Sequence, residues 1–283
     1  MLMSKTAIID VGGGYRAIFG AGVFDYCADN DLQFDHCYGV SAGSANLASF
    51  MARQPGRTYR FYTQYAFRKE YASPRNFVRE HNFVDLDYVY GTLSNHDGED
   101  PMDFDAFQRN PAELTVVACN ALDGSTKYFD KSDVTNDHYD IFKASSAVPV
   151  ACEPYVIDGV PYFDGGIADP VPVAQAIEDG CDRIVLVLTR LKDVPRTQHK
   201  DVLPARILRR HYPEAAELLL NRYRLYNEEV ELAKRYEQEG RVLIVAPDDL
   251  CGLDTLSKNY EGLGRMYRKG YAFASSIGDF IRG

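Results

Sequence analysis

The chain has 283 residues, 46% of them hydrophobic and 25% charged, which excludes a disordered polar chain and leaves ample length to bury a core. A formal net charge of −10 opposes bulk attraction to nucleic acid or to a strongly anionic membrane face. No apolar run approaches the roughly 18 residues that cross a bilayer, and Met1-Leu2-Met3-Ser4-Lys5 runs into a strand pattern without the basic flank and apolar stretch of an export leader, so a cytoplasmic location is expected.

Residues 5–11 (KTAIIDV) predict a short buried strand that meets Gly12-Gly13-Gly14 and then a helix reaching about Asn30. The unit recurs, with a strand over His36 to Val40, a turn at Ser41-Ala42-Gly43 and a helix over Ser44 to Gln54. Two strand–turn–helix units in tandem predict a parallel sheet. Residues 57–110 are expected to form helices and loops, with Asn95 to Pro101 as an exposed turn whose acids lack the spacing of an EF-hand calcium loop. Hairpins are expected around Asp123-Gly124, between strands 113–120 and 125–130, and around Asp158-Gly159, between strands 155–157 and 160–163. A helix over 172–179 and a buried strand over 183–189 continue the alternation.

Beyond about residue 190 the pattern becomes helical over 205–239, broken near Tyr212-Pro213, before a strand at 242–246 and a last helix from about Thr255. The expected architecture is a three-layer α/β/α core with a mainly parallel sheet over 1–190 and a mostly helical extension over 191–283 packed on it. Cys27, Cys37, Cys119, Cys152, Cys181 and Cys251 form no CxxC pair and predict reduced, buried thiols; no metal site and no cofactor are expected.

Gly39-Val40-Ser41-Ala42-Gly43 sits where a strand turns into a helix. In such a turn the glycines remove Cβ clashes, Ser41 is presented at the strand's end, and the next amide and the helix N-terminus face a developing negative charge. Ser41 is the candidate nucleophile. Gly12-Gly13-Gly14-Tyr15-Arg16-Ala17 has two readings: a dinucleotide fingerprint with Asp31 or Asp35 as the ribose acid, or an oxyanion hole built from successive backbone amides. A serine nucleophile needs a base, and Asp164, after a hairpin strand and before Gly165-Gly166, is the candidate. A triad in the order Ser41, Asp164, then His199 or His211 is the enzymatic alternative, although both histidines lie in polar, surface-like stretches.

Taken together, these elements resemble the patatin-like phospholipase family, over about residues 5–190. Gly12-Gly13-Gly14-Tyr15-Arg16 resembles its glycine-rich oxyanion motif, Gly39-Val40-Ser41-Ala42-Gly43 its nucleophile elbow, and Asp164-Gly165-Gly166 its motif carrying the dyad acid. Ala144-Ser145-Ser146-Ala147-Val148-Pro149 resembles the segment that precedes that last motif, and the helical tail looks like the extension of one bacterial branch. Ala17 departs from the family's glycine and is expected to have entered the helix already. The resemblance implies a Ser41–Asp164 dyad without catalytic histidine, an oxyanion hole from Gly12, Gly13 and Gly14, and fatty-acyl ester substrates, phospholipid or lysophospholipid, met by transient contact with a membrane or micelle. An ordinary aspartate is a weak base, so Asp164 is expected to be partly desolvated, yet still partly exposed. The group Arg206, Arg209, Arg210, His211, Arg222 and Arg224, interspersed with glutamates, is expected to be a solvated, ion-paired helical face. A general carboxylesterase, a nucleotide-binding protein and a non-catalytic module stay open, as does the oligomeric state.

Overall fold

The computed structural model describes residues 4–256 and 259–283; Met1 to Met3, where the leaderless start was read, and Ser257 and Lys258, inside the expected last helix, lie outside the described residues. β1 (Thr6–Asp10), α1 (Ile18–Asp29), β2 (His36–Val40) and α2 (Ala42–Met51) form the two predicted strand–turn–helix units. A helix-and-loop segment follows, carrying α3 (Arg57–Thr63), α4 (Pro74–Glu80) and α5 (Phe104–Arg109). β3 (Glu113–Asn120) and β4 (Thr126–Asp130) make the first predicted hairpin, α6 (Asp140–Ser146) intervenes, and β5 (Tyr155–Ile157) and β6 (Val160–Asp164) make the second. The remainder is α7 (Val173–Glu178), β7 (Arg183–Val187), α8 (Val202–Leu208), α9 (Pro213–Gln238), β8 (Val242–Val245), α10 (Tyr260–Phe273) and α11 (Ile277–Arg282). Pro213 opens α9 where the sequence predicted a break, because its missing N–H costs nothing in a first turn.

The strands form one sheet in the order β5-β6-β3-β2-β1-β7-β8, with β4 paired to β3. β3, β2, β1, β7 and β8 run parallel, and the hairpin strands β4, β5 and β6 are antiparallel additions. Side chains alternate across the sheet: Ile8, Val185 and Val187 enter the large core beneath α1 and α2, while Ala7, Ile9, Ile184 and Leu186 face Tyr226, Val230 and Ala233 of α9. Both faces are therefore covered, which is why these strands are apolar at nearly every position. The chain is a mixed, mostly parallel sheet between helical layers, with a helical C-terminal region that also adds β8. α10 lies against α1, and Gly22 and Gly270 allow the approach, since a Cβ at either would fall on a backbone carbonyl of the other helix. The six cysteines are buried free thiols.

Two expectations need correction. The turn over 95–101 forms, but Asp100 points inward at 6% exposure, accepting from Nε and Nη2 of Arg60 at 2.7 and 2.9 Å and lying 3.6 Å from the buried Arg57. Arg222 is likewise drawn off the solvated face of α9 to make a two-pronged ion pair with Asp201, whose side chain is 2% exposed.

α9 is also fastened by a buried carboxyl pair. Glu229 accepts the Val171 N–H at 2.8 Å and hydrogen-bonds Asp169, which accepts the Tyr128 hydroxyl at 2.7 Å. Burial, then the Asp169 charge, pushes the Glu229 carboxyl far above its ordinary range, so one proton is shared and sits on Glu229. A raised folded-state value stabilises fully below the unfolded carboxylate range of about pH 4 and is lost as pH rises toward the folded value. Glu229→Gln, which keeps a neutral donor, should therefore match wild type in Tm near about pH 4 and exceed it by a few degrees near about pH 8. Equal Tm values at both pH values would disprove the shared proton.

Candidate active site

Strand register brings the two motif residues together. Val40 of β2 pairs with Val117 of β3, and on the same edge of β3 the next residue, Ala118, pairs with Asp164 at the end of β6. Ser41 and Asp164, 123 residues apart in sequence, thus meet at the carboxyl end of the sheet, where Ser41 Oγ donates to Asp164 Oδ2 at 2.5 Å. Ser41 has φ 56° and ψ −135°, a conformation that costs a non-glycine residue of order 1–3 kcal/mol and clusters at functional sites. Its surroundings hold it there: its N–H donates to Ser145 Oγ at 2.8 Å, and its carbonyl accepts the Ser44 N–H and hydroxyl at 3.0 and 2.6 Å. Gly39 and Gly43 leave room for the turn, a Cβ on Gly39 being 2.6 Å from Ser44 Cα and one on Gly43 falling on the Asp10 carbonyl.

Asp164 is fixed by its own backbone, donating to the Ala147 carbonyl at 2.9 Å, while its Oδ1 accepts the Gly166 N–H at 2.7 Å. Gly165 packs against β3 where a Cβ would strike the Val117 carbonyl. Asp164 is more buried than expected, at 6% exposure. Burial raises its carboxyl above the ordinary value, opposed by the hydrogen bonds from Ser41 and Gly166 and by the charges of Arg222 and Arg196.

Gly12, Gly13 and Gly14 all have positive φ, at 64°, 116° and 61°. Their amides are not equivalent. The Gly12 N–H donates at 2.9 Å to Asp10 Oδ1, inside the fold, whereas those of Gly13 and Gly14 meet no acceptor among the described residues. Asp10 is wholly buried, takes a second bond from Asn46 Nδ2 at 2.7 Å, and is pushed up to about 6 by burial. Ala17 is helical as expected, at φ −65°. Arg16 is 3% exposed and binds Asp254 at 3.1 Å and the Thr255 hydroxyl at 3.0 Å, while the Tyr15 N–H donates to the Thr255 carbonyl, so the C-terminal region is tied to the glycine loop.

Neither the histidine triad nor a ribose contact from Asp35 assembles. His199 and His211 are exposed, and neither bonds Ser41 or Asp164 among the described residues. Asp35 accepts the Thr6 N–H and hydroxyl at the amino end of β1, a full strand of roughly 15 Å from the glycine loop, so it cannot serve a ribose bound there. Among the described residues no cluster of three metal-ligating side chains occurs, and no helix is long and apolar enough to cross a membrane.

Ser41 opens into a mostly apolar cavity of about 110 Å³ running between α2 and the 57–110 segment, with Ala45, Phe61, Val89, Met102 and Phe142 on its walls. With this geometry in place, residues 11–177, more than half of the chain, match the family described as patatin-like phospholipase. The chain belongs to the patatin-like phospholipase family. Residues 212–277 match a second family, described as a domain of unknown function (DUF6363). The uncharacterized protein YjjU of Escherichia coli K12 is 32% identical over 190 residues, which are 65% of this chain and 52% of that relative, so the chain spans about half the relative's length. The crystal structure of VipD from Legionella pneumophila shares the fold, with a TM-score of 0.50 and 13% identity, over 98% of this chain and 67% of VipD.

In this member of the patatin-like phospholipase family the supporting residues are Asp10, Asn46, Ser145 and Thr189, and the sequence reading gave none of them a role. Asp10 was detectable, since a carboxylate closing an otherwise apolar buried strand must be paired. Ser145 lies in the Ala144–Pro149 segment, and its hydroxyl accepts the Ser41 N–H. Thr189, whose hydroxyl donates to the Gly12 carbonyl from 177 residues away, carried no local signal.

Proposed function

We propose that the protein is a serine acyl hydrolase that cleaves fatty-acyl esters, of phospholipid or lysophospholipid type, with Ser41 as nucleophile and Asp164 as base. The observation that carries this reading is the 2.5 Å hydrogen bond from Ser41 Oγ to Asp164 Oδ2 at the head of an apolar cavity. Ser41 Oγ attacks the ester carbonyl carbon while its proton passes to Asp164, and the carbonyl oxygen takes up the electron pair. The Gly13 and Gly14 amides, with the Ala42 amide at the start of α2, hold that oxyanion; Gly12 shapes the loop through Asp10. Collapse expels the alcohol, which leaves with the proton from Asp164. Water then attacks the acyl-enzyme, gives its proton to Asp164, and the fatty acid departs as Ser41 is restored. The route needs neither metal nor cofactor.

In this reading residues 1–190 form the catalytic core and residues 191–283 an extension that completes its rim. Phe77, Val194 and Leu256 stay 42%, 57% and 42% exposed beside the site, which suits brief contact with a lipid surface. Wild type is expected to hydrolyse a long-chain p-nitrophenyl ester in the presence of EDTA and to gain one adduct by intact mass with a fluorophosphonate probe. Ser41→Ala should show neither, with a rate loss of at least about a thousandfold. Hydrolysis that survives in Ser41→Ala would overturn the reading.

A further inference from the structure

A second cavity, of about 790 Å³, opens beside the first, and Val148, Ala151, Thr255 and Leu256 line both. Its chemistry is different. Arg190, Arg196, Lys200 and Arg222 face it, against the carboxylates of Asp201 and Asp254, in a chain whose formal charge is −10. Both carboxylates are already shared. Asp201 takes Arg196 at 3.2 Å and Arg222, and Asp254 takes Lys200 and, from behind the cavity wall, Arg16 at 3.1 Å. The side chain of half-buried Arg190 makes no hydrogen bond or ion pair among the described residues.

Four cations against two carboxylates, gathered in a recess with Arg16 close behind its wall rather than spread over an open face, repel one another, and an anion joining them relieves that repulsion. The repulsion is legible in the neighbours: burial lowers the Arg16 and Arg196 guanidinium values first, and the like charges of Arg190 and Arg222, respectively, come next. Position matters as much as charge. Arg190 follows Thr189, whose hydroxyl holds the Gly12 carbonyl, so its guanidinium springs from the residue next to the support of the oxyanion loop. Arg222 and Arg196 are near enough to act electrostatically on Asp164.

We propose that this second cavity is a phosphate-reading subsite in which Arg190, flanked by Arg196 and Arg222, holds the phosphate carried by the leaving group of the ester cleaved at Ser41. The inference rests on the acyl-hydrolase reading above and assigns its phosphate-bearing leaving group a place in the fold and a residue, Arg190, that selects for it. Guanidinium forks match phosphate oxygens two at a time, and an arginine with no prior partner loses none on binding. The acyl chain then occupies the apolar cavity and the alcohol part crosses the shared rim. Arg222, Asp254, Thr255 and Leu256 come from the 212–277 segment, so the region matching a family without assigned function supplies the leaving-group wall.

The test compares lauroyl glycerol 3-phosphate with monolauroylglycerol, which differ in the phosphate alone. Wild type is expected to favour the phosphate ester in kcat/KM by about tenfold or more, mainly through KM; Arg190→Gln should bring the ratio close to one, and Arg190→Lys should restore part of it. A wild-type ratio near one, or a ratio that Arg190→Gln leaves intact, overturns the proposal. A second arm needs no turnover: the Ser41→Ala protein is titrated by calorimetry with glycerol 3-phosphate and with inorganic phosphate, and adding Arg190→Gln should weaken glycerol 3-phosphate binding about tenfold. Inorganic phosphate binding as tightly as glycerol 3-phosphate, together with a hydrolysis ratio near one, would assign the cavity to free phosphate and overturn the headgroup role. A protein that binds glycerol 3-phosphate through Arg190 yet cleaves neither ester would refute the hydrolase reading and leave the phosphate site standing.

Discussion

Asp164→Asn is expected to lower kcat by roughly three to four orders of magnitude while leaving the protein folded. The amide keeps the shape of the carboxylate, and its oxygen can still accept the Gly166 N–H, which in wild type meets Oδ1 at 2.7 Å. The position facing Ser41 Oγ then carries either a donor or a far weaker base, so the serine proton has nowhere to go. The wild-type pH profile should show the same group. Only the ionised form of Asp164 accepts a proton, and burial raises its carboxyl above the ordinary value of 3.8. Activity therefore rises with pH through that raised value and is lost as pH falls below it, with the acid limb displaced upward from the limb of an exposed aspartate. The His199→Ala/His211→Ala double variant should stay within about twofold of wild type, since both side chains lie on the surface. More than a tenth of wild-type activity in Asp164→Asn, or a collapse of activity in a folded histidine variant, would refute the dyad.

The second large effect concerns stability. Arg57 is 5% exposed and its guanidinium lies in the wall of the apolar cavity, donating to Ser49 Oγ at 3.0 Å, Ser94 Oγ at 2.9 Å and the Asp100 carbonyl. Its one carboxylate neighbour among the salt bridges of the described residues is Asp100, which also takes Arg60 and the Tyr65 hydroxyl. Asp100→Ala leaves a buried cation uncompensated, a change that costs about 3–5 kcal/mol. For a chain of this size that corresponds to a fall in Tm of order 10 °C. Adding Arg57→Met removes the orphaned charge and keeps a similar volume, so the double variant should recover much of the loss. A single variant within about 1 kcal/mol of wild type, or a double variant less stable than Asp100→Ala, would show that Asp100 does not compensate Arg57.

These contacts show where the sequence could and could not be read. Strand–glycine–helix punctuation at Gly12 and Ser41, and the Asp-Gly turns at 123 and 158, are local signals, and the structure has the predicted elements there. Asp100 and Arg222 defeated the reading because their surroundings in sequence look solvated while their partners are remote. Asp100 sits in an Asn/Asp/Gly-rich turn but neutralises arginines 40 and 43 residues upstream. Arg222 has the glutamate-rich spacing of an exposed face, yet its long side chain bends to Asp201, 21 residues away in a loop. Periodicity reports which side of a helix a residue occupies and carries no record of a distant partner of opposite charge. The same limit applies to the Gly12 amide: three successive glycines promise three similar donors, and only the place of Asp10 two residues earlier shows that one is spent inside the fold.

The register that joins Ser41 to Asp164 also has a kinetic side. Neither residue can find the other by local search, because β3 must first align in parallel with β2 across the long 57–110 segment and then accept β6 on the same edge. Contacts that close such long loops form late and slowly. The nucleophile and its base are thus completed only when the central sheet is, so a chain released early from the ribosome or stalled part-folded would carry Ser41 with no proton acceptor beside it and without the Ser145 contact that holds its conformation.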